Sequence, residues 1–437
     1  AALSAGASDM SAWVLMGLPA SIYLSGMGQT WIAIGLGIGY AVSWIFMAPR
    51  LRRFSIAAND SITIPQYLTN RFLSKNKSLQ ILSAIIFLVA YTIYAASSIK
   101  ACGTLFNTVM DIDPTVAMYI AAFIIVAYTF LGGFSAVCWT DFFQGMIMLA
   151  ALLIAPLFAL ALAKAGDGAA TGAALPDGFF NFFTTPQDII SGLGWGLGYF
   201  GMPHIIIRFM SLKSEKELRK SSVIGISWTT IILIMSALTA IAGRLYLGEI
   251  EDSSTVFITM VRRIFPALVS GLLLSAILSA AMSTADSQLL AASSAFASDV
   301  YKPVIRKKAS DSEMLWAGRI VVIVIAVVAL MIASDPNSGS IMGLVENAWG
   351  VFGAAFGPVI LLSLFWKRLT FGGTVAGIAV GAAVDILWLV FLSSTDIYEI
   401  VPGFAAGLLA AVVVSLLSKG PGKDVEDLFD RAVDLKS

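Results

Sequence analysis

Two stretches of the chain place hard oxygen ligands inside apolar segments. The first, ALSAGASDMSAWVLMGLP at 2–19, carries Asp9 among small and hydroxyl residues. The second, SAILSAAMSTADSQLLAASSAFASDV at 275–300, spaces Ala280, Ser283 and Thr284 at i, i+3 and i+4. That spacing puts one backbone carbonyl and two hydroxyls on one helical face, a donor set that suits a hard cation. The alternative is that the hydroxyls bond back to carbonyls of the preceding turn.

Three carboxylates fall within or beside apolar stretches: Asp9, Asp141 and Asp286. A carboxylate at the centre of a bilayer costs about 2.5–3.5 kcal/mol on insertion scales, so each should face protein, water or an ion. Asp9 has a second explanation, as the N-cap of the second half of a broken helix. The two roles are compatible.

The elements that position these groups must be membrane helices. Of 437 residues, 58% are hydrophobic and 12% charged, too apolar a composition for a soluble domain. The two cysteines, Cys102 and Cys138, give no disulfide framework, and the single histidine, His204, leaves no His/Cys cluster for a transition metal and no histidine pair for acid/base chemistry. No phosphate-binding loop motif occurs. We therefore predict no catalytic residues, no enzymatic activity and no nucleic-acid partner.

Apolar runs predict about twelve transmembrane helices. They cover 3–24, 30–49, 79–102, 115–132, 142–164, 187–206, 222–247, 266–295, 315–333, 339–365, 371–394 and 401–418. The tail after 418 is predicted to form a short, solvated amphipathic helix. Because the sequence opens almost inside a helix, we expect a further segment upstream.

The loop charges predict the orientation, because cytoplasmic loops of membrane proteins are enriched in Lys and Arg. If residue 1 is cytoplasmic, the inside loops hold Arg50, Arg52, Arg53, Arg71, Lys75, Lys77, Arg208, Lys213, Lys216, Arg219, Lys220, Lys302, Arg306, Lys307, Lys308, Lys367, Arg368, Lys419 and Lys423. The outside loops are mainly acidic, with Lys164, Arg262 and Arg263 as exceptions, and include Asp111, Asp113, Asp167, Asp177, Glu249, Glu251, Asp252, Asp335, Asp396 and Glu399. We expect a multi-pass protein of the inner (plasma) membrane, with residue 1 and the C-terminal tail in the cytoplasm.

Two predicted spans contain helix-weakening residues. The first carries SAGASDMS at 4–11, and the sixth carries SGLGWGLGYFGMPH at 191–204. Paired broken helices at matching positions of two halves are typical of transporters built from inverted repeats, since unwound backbone supplies carbonyls and amides to ligands. The alternative is that the glycines only permit close helix packing.

Five ordered motifs resemble the sodium:solute symporter family, most closely its sodium/proline branch. They are GASDMSAWVLMGLP, SITIPQYLTNRF, GGFSAVCWTDFFQGMIM, GLGWGLGYFGMPHI and AAMSTADSQLL, and the resemblance covers essentially the whole chain. It implies an all-α polytopic membrane fold similar to the bacterial leucine transporter, a five-plus-five inverted repeat with additional C-terminal helices. The repeats would be 1–165 and 187–365, followed by two more helices in 366–418 and a cytoplasmic tail at 419–437.

The resemblance also implies a sodium site between the first break and the eighth span. Its ligands would be the carbonyls of Ala7, Met10 and Ala280 and the hydroxyls of Ser283 and Thr284, with Asp9 as a nearby negative charge. A second ion or a coupling role would involve Asp141, Asp286 and Ser287.

The substrate positions implied by the resemblance are aromatic residues at the sixth break and polar residues at the first. They are Tyr94, Trp195, Tyr199 and Pro203, with amides near Ser8 and Ser11 to receive a carboxylate. Glycines among aromatic rings suit a compact ring carrying a secondary ammonium. The chain departs from the pattern at Met202, where the better-known proline carriers have Gln, and Glu346 and Asp385 receive no role.

The predicted function is secondary active transport that couples inward Na⁺ movement to uptake of a small amino acid, with L-proline as the expected solute. Na⁺ would be the only cofactor, and the partners would be the solute and the lipid bilayer around a monomer. One alternative is another solute, such as pantothenate, acetate or a sugar. The other is a transporter-like membrane sensor. We expect the short tail to leave no room for a kinase, which argues against a sensor.

Overall fold

The computed structural model describes residues 2–131, 134–166, 175, 177–212 and 215–435, and within them every regular element is helical. The α-helices are α1 Ala2–Met10, α2 Gly17–Ser25, α3 Thr30–Val42, α4 Ala48–Ala57, α5 Ile64–Arg71, α6 Ser78–Met110, α7 Pro114–Leu131, α8 Phe134–Ala165, α9 Pro186–Gly194, α10 Pro203–Met210, α11 Glu215–Leu247, α12 Val256–Ile264, α13 Ala267–Ala295, α14 Asp311–Ser334, α15 Ile341–Phe365, α16 Phe371–Phe391, α17 Ile400–Leu417 and α18 Lys423–Asp434. Wider π-helical turns join α3 to α4 at Ser43–Met47 and extend α13 at Phe296–Ile305.

Nine helical segments of the described chain are long and apolar enough to cross a membrane. They are Met27–Ala57, Ser78–Met110, Trp139–Ala165, Glu217–Leu247, Ala267–Pro303, Asp311–Ser334, Ile341–Phe365, Phe371–Phe391 and Ile400–Leu417. These correspond to nine of the predicted spans, and the all-α membrane fold is confirmed. The number twelve stays a prediction, because the first and sixth spans are divided and the fourth, α7, is a shorter apolar helix.

The first predicted span is broken where the sequence weakens it. α1 ends at Met10, a 3-10 turn covers Ala12–Val14, and α2 resumes at Gly17. Ser11 has a positive φ of 29° and its hydroxyl accepts a hydrogen bond from the Trp13 amide at 3.3 Å. A helix leaves its last four carbonyls without intrahelical partners, so the break exposes the carbonyls of 7–10 to other ligands.

The sixth span is also broken. α9 ends at Gly194, a 3-10 segment runs from Trp195 to Phe200, and α10 begins at Pro203, which fits the first turn of a helix because it lacks an N–H. The glycines allow backbone contact with α3: a β-carbon on Gly39 would lie 2.2 Å from the Gly196 carbonyl oxygen. The helix break and the close packing, which were alternatives for the glycines, are therefore both present.

Two basic residues assigned to cytoplasmic loops are buried inside the protein. The loop assignment was wrong for Arg208, which lies within α10, and stays a prediction for Arg71, which lies between the second and third predicted spans. Arg71 ends α5 with no exposure, and its guanidinium donates to the Ser363 carbonyl at 3.3 Å and lies over the Phe429 ring. Arg208 is 3% exposed within α10. The helix that carries Arg208 continues to Met210, beyond the predicted end of the sixth span at 206. Asp167, Lys213 and the first two glycines of the GGFSAVCWTDFFQGMIM motif lie outside the described residues, as does the side chain of Cys138.

The tail helix α18 is present but is not solvated on all sides. Leu428, Phe429 and Ala432 are buried, and the Phe429 ring packs edge-on against Phe54 of α4 with centroids 5.1 Å apart. An ion pair between Lys367 and Asp430, 2.5 Å long, also holds it to the loop before α16. The amphipathic pattern therefore places an apolar face against the end of the bundle.

Candidate functional site

The predicted sodium ligands of α1 and α13 meet at the first helix break. The Ser283 hydroxyl lies 3.0 Å from the Ala7 carbonyl oxygen and 3.2 Å from the Ala280 carbonyl oxygen. The i, i+3 spacing on α13 therefore brings its hydroxyl to the end of α1, as the sequence pattern requires. The bond of Ser283 to Ala280 is also the back-bonding to the preceding turn that was the alternative, so the hydroxyl is shared between both roles.

Thr284 and Met10 flank this contact. Thr284 has no exposed surface, and its Oγ1 has no hydrogen-bond partner in the part of the chain that the structure describes. A buried hydroxyl without a partner is unfavourable by about 1–3 kcal/mol, which an ion contact would relieve. Met10 is fully buried as the last residue of α1, so its carbonyl is one of the four at the helix end.

Asp9 faces the sixth-span break rather than the Ser283 hydroxyl. Its Oδ2 accepts a hydrogen bond of 2.6 Å from the Tyr199 hydroxyl, and its carbonyl accepts one of 3.3 Å from Tyr94. Ser11, not Asp9, caps the turn that follows α1. The N-cap explanation for Asp9 is therefore wrong, and the carboxylate instead connects the two helix breaks.

The predicted substrate aromatics form a continuous cluster beside Asp9. The Trp195 ring stacks on Trp13 with centroids 5.9 Å apart, and the Trp349 indole donates a 2.8 Å hydrogen bond to the Trp195 carbonyl. Tyr199 packs edge-on against Tyr40 at 5.1 Å and Trp349 at 5.0 Å. Ring faces and one carboxylate therefore lie around the unwound segments of both broken helices.

The remaining predicted substrate residues are buried near this cluster. Ser8 lies within α1 and its hydroxyl bonds back to the Ala5 carbonyl at 3.3 Å, so it is a helix residue and not part of the break. Ser11 is in the break itself and caps the turn. Pro203 starts α10, and Met202, where the family pattern departs, has no exposed surface.

The residues predicted for a second ion, Asp141, Asp286 and Ser287, lie around a buried ion pair. The Asp141 Oδ2 atom accepts a hydrogen bond of 2.6 Å from the Ser4 hydroxyl, and it lies 3.2 Å from Nη2 of Arg208. Arg208 also donates to the Ser287 hydroxyl at 2.9 Å and the His204 carbonyl at 2.6 Å. One guanidinium therefore ties α1, α8, α10 and α13 together.

Asp286 has no exposed surface, and neither of its oxygens has a partner among the described residues. Arg208 and Ser287 reach the wall of a cavity of about 470 Å³ that also includes Thr63, His204 and Ser211. Arg208 and Ser287 therefore border this space, whereas Asp141 and Asp286 do not line it. Burial of a net negative charge favours a cation beside these two carboxylates.

Sequence reasoning missed Arg208, Trp349 and Tyr40. Arg208 stands four residues after His204, inside an apolar run, and a buried carboxylate such as Asp141 needs a cationic partner. These two features together could have indicated that Arg208 is buried beside Asp141. Trp349 and Tyr40 carried no signal, because an aromatic residue in an apolar helix is ordinarily packing.

Comparison with known proteins places this geometry in a family. The sequence profile of the Sodium:solute symporter family matches residues 1–381. The chain belongs to the sodium:solute symporter family. It is 44% identical to the high-affinity proline transporter of Bacillus subtilis, covering 100% of this chain and 93% of that protein. It is 45% identical to the sodium/proline symporter of Haemophilus influenzae, covering 99% and 89%. The symporter is thus Na⁺-coupled and spans the membrane several times.

Solved structures share its fold at low identity. A Na⁺-coupled sialic acid symporter superposes with a TM-score of 0.77 at 21% identity, covering 96% of this chain and 90% of that one. MhsT in complex with L-phenylalanine gives 0.59 at 15% identity, covering 95% and 97%. The symporter therefore has the leucine-transporter type of fold, as the motifs predicted.

Proposed function

We propose that this symporter imports L-proline, driven by Na⁺ that binds between α1 and α13. The observation that carries the sodium part is the meeting of the Ser283 hydroxyl with the Ala7 and Ala280 carbonyls at the end of α1. Proline as the solute is supported by the names of relatives that are 42–45% identical over nearly their full length. The Na⁺ ligands in this proposal are Ala7, Met10, Ala280, Ser283 and Thr284. Asp9 adds a nearby negative charge and accepts the hydrogen bond from Tyr199.

The solute lies against the aromatic cluster. Trp195 and Tyr199 present ring faces to the pyrrolidine and its secondary ammonium, a cation–π arrangement. Ser11 at the break, with Ser8 beside it, orients the carboxylate, Tyr94 lies next to Asp9, and Pro203 ends the unwound segment. Because the Tyr199 hydroxyl bonds Asp9, an ion that alters Asp9 changes one wall of the solute site, which is a direct route for coupling.

A second ion binds near Asp141, Asp286 and Ser287 in this proposal. Asp286 supplies two unpartnered oxygens, and Asp141 supplies its unpartnered Oδ1. Arg208 already neutralises one of the two carboxylates, so the site has room for one positive charge.

The orientation and repeats follow the sequence pattern. Residue 1 and the tail are cytoplasmic in a plasma membrane, the repeats are 1–165 and 187–365, and the symporter functions as a monomer. Na⁺ moving down 100 mV releases about 2.3 kcal/mol, and a tenfold gradient adds about 1.4 kcal/mol. Together they sustain an accumulation of roughly 500-fold for a neutral solute.

The test is uptake of labelled proline into proteoliposomes that carry the purified symporter. An inward Na⁺ gradient should drive uptake, an equal K⁺ gradient should not, and excess unlabelled proline should abolish the signal. If unlabelled pantothenate, acetate or a sugar abolished the signal and unlabelled proline did not, the assignment of proline as the solute would be overturned. Equal uptake with a K⁺ gradient would overturn the assignment of Na⁺ as the coupling ion. Proline binding without any Na⁺-driven uptake would favour the sensor alternative.

Three variants separate the solute site from the ion. Trp195→Ala should weaken proline binding in calorimetry while leaving Na⁺ binding unchanged, whereas Tyr199→Phe keeps the ring and loses only the bond to Asp9. Trp316→Ala, at a half-exposed tryptophan on α14, is the matched control. Equal proline affinity in Trp195→Ala and the control would remove the aromatic cluster from the solute site.

A further inference from the structure

Three carboxyl groups converge between α15, α16 and α17, away from the ion groups described above. Glu346 lies on α15, Asp385 on α16, and Glu399 immediately before α17. A β-carbon on Gly350 would lie 2.9 Å from Oδ1 of Asp385 and 3.4 Å from Cγ of Glu399, so both acidic side chains pack against α15 at Gly350. We call these three residues the acidic trio.

Asp385 and Glu399 of the acidic trio are buried without compensation, and Glu346 is partly buried. Asp385 has no exposed surface and both its oxygens lack a hydrogen-bond partner, and Glu399 is 6% exposed with Oε1 also unpartnered. Electrostatic repulsion from Glu399 acts on both Asp385 and Glu346. Within the described chain, no ion pair reaches any of the three. Two buried negative charges and a partly buried third, with no ion pair to them among the described residues, are strongly unfavourable, so the carboxyls must take up protons or a positive ion.

The surroundings favour protons. No group of three or more acidic, histidine or cysteine side chains in the described residues has the geometry to hold a metal ion. Glu346 and Glu399 line a cavity of about 680 Å³, and Asp385 lies outside its lining. The titratable groups around that cavity are Asp188 of α9, the loop residue Asp396 and Tyr398, and its lining contains no Lys or Arg. The α3 residues and the Trp195–Phe200 residues that line it carry no charge.

The acidic trio is connected to the solute side of the protein. The Tyr398 hydroxyl donates a 2.8 Å hydrogen bond to the Glu346 carbonyl, and its ring lies 5.1 Å from the Trp195 ring. Any change in the packing of α15 against the start of α17 is therefore passed to Trp195 through one tyrosine.

We propose that Glu346, Asp385 and Glu399 form a proton-binding site at the base of this cavity, and that its protonated form holds α15, α16 and α17 together beside Trp195. Protons enter and leave through the cavity. Loss of a proton places like charges between the three helices, loosens their packing and displaces Tyr398. The site has no part in binding Na⁺ and does not depend on the identity of the solute.

The pH dependence has a definite sign. Burial raises the pKa of Glu399, which lies outside the membrane-spanning segments, so the folded protein favours the neutral carboxyl. A carboxyl whose pKa is raised on folding stabilises the protein at low pH and loses that contribution as pH rises through the folded pKa. The folding equilibrium should fall by up to about tenfold per pH unit for each proton released.

The experiment is thermal unfolding of the purified symporter in detergent between pH 5.5 and 8.5, without solute. The wild-type midpoint should fall as pH rises, and Asp385→Asn, which mimics the protonated acid, should flatten that fall and unfold later than wild type at pH 8.5. Asp396→Asn is the matched control, because Asp396 is exposed and has a positive φ that Asn tolerates, so it should keep the wild-type slope. If Asp385→Asn does not fold, Glu399→Gln carries the same expectation.

A wild-type slope in Asp385→Asn, or a lower midpoint at every pH, would overturn the proton site, and so would an unchanged slope in Glu399→Gln. Proline affinity should fall with rising pH in wild type and fall less in Asp385→Asn. That last expectation rests on the proposed function, and the solute-free midpoints separate failure of the proton site from failure of the solute assignment.

Discussion

Replacing Gly198 by alanine should disturb the solute site through a single steric contact. Gly198 lies in the unwound part of the sixth span, and an added β-carbon would lie 2.0 Å from Nε1 and 2.2 Å from Cε2 of Trp349. Carbon atoms in contact are about 3.5–4.0 Å apart, so one partner must move. Trp349 is 2% exposed and its Nε1 is bonded to the Trp195 carbonyl, which leaves no free space for it.

The expected cost follows from two effects. Overpacking a buried site costs about 1–3 kcal/mol, and a buried N–H that loses its acceptor costs about 1–3 kcal/mol more. Gly198→Ala should therefore be destabilised by about 2–6 kcal/mol, because both effects act on the same tryptophan. The φ of Gly198 is not positive, so the cost arises from the methyl group and not from backbone strain.

The measurement is thermal unfolding in detergent, together with calorimetry of proline binding. Gly271→Ala is the matched control, because a β-carbon there meets nothing within 4 Å and alanine is the better helix former. Gly198→Ala should unfold several degrees earlier than wild type and bind proline more weakly, while the control unfolds no earlier and binds normally. Identical midpoints and affinities for the two variants would refute the packing argument around Trp349.

Three further changes test the ion sites. The pair Ser283→Ala and Thr284→Ala should raise the Na⁺ concentration for half-maximal uptake by about tenfold or more, the equivalent of about 1.4 kcal/mol, and an unchanged Na⁺ dependence in folded protein would remove both from the site. Asp9→Asn should raise the same concentration with little effect on the unfolding midpoint; a large loss of midpoint with normal Na⁺ dependence would make Asp9 structural only. Arg208→Met should destabilise by about 3–5 kcal/mol by leaving Asp141 unpaired, and adding Asp141→Leu should recover most of that loss, which a double-mutant cycle measures.

The sequence predicted the helix breaks well because their signal is local. Gly192 to Pro203 and the SAGASDMS run each weaken a helix where they stand, and the structure is broken at both. The i, i+3 spacing of Ala280 and Ser283 likewise needs no knowledge of distant residues. The second partner, the Ala7 carbonyl, was supplied only by the family resemblance, because no local pattern says which helix faces α13.

The sequence failed where long-range packing decides. Arg208 was assigned to a loop because basic residues usually end membrane helices, whereas a distant carboxylate on α8 holds it inside the bundle. The capping alternative for Asp9 came from its position next to a break, yet the bond from Tyr199, 190 residues away in the chain, sets the direction of its side chain. Trp349 can reach the Trp195 carbonyl because Gly198 has no side chain in its way. The sequence around either residue alone does not indicate this fit.

Charge balance connects the two proposed ion sites to the coupling. Asp9, Asp141 and Asp286 are buried in the bundle core, and among the described residues one ion pair, from Arg208 to Asp141, reaches them, which leaves two of the carboxylates without an ion-pair partner if all are ionised. Each uncompensated charge in a membrane interior costs several kcal/mol, so the ion-free core is the less stable state. Na⁺ at the Ser283 contact and a second ion near Asp286 would cancel that excess and hold α1 against α13. Since the Tyr199 hydroxyl and the Tyr94 hydroxyl both bond Asp9, the same ions would fix the aromatic wall that the solute meets, so the solute gains affinity only after the ions are bound.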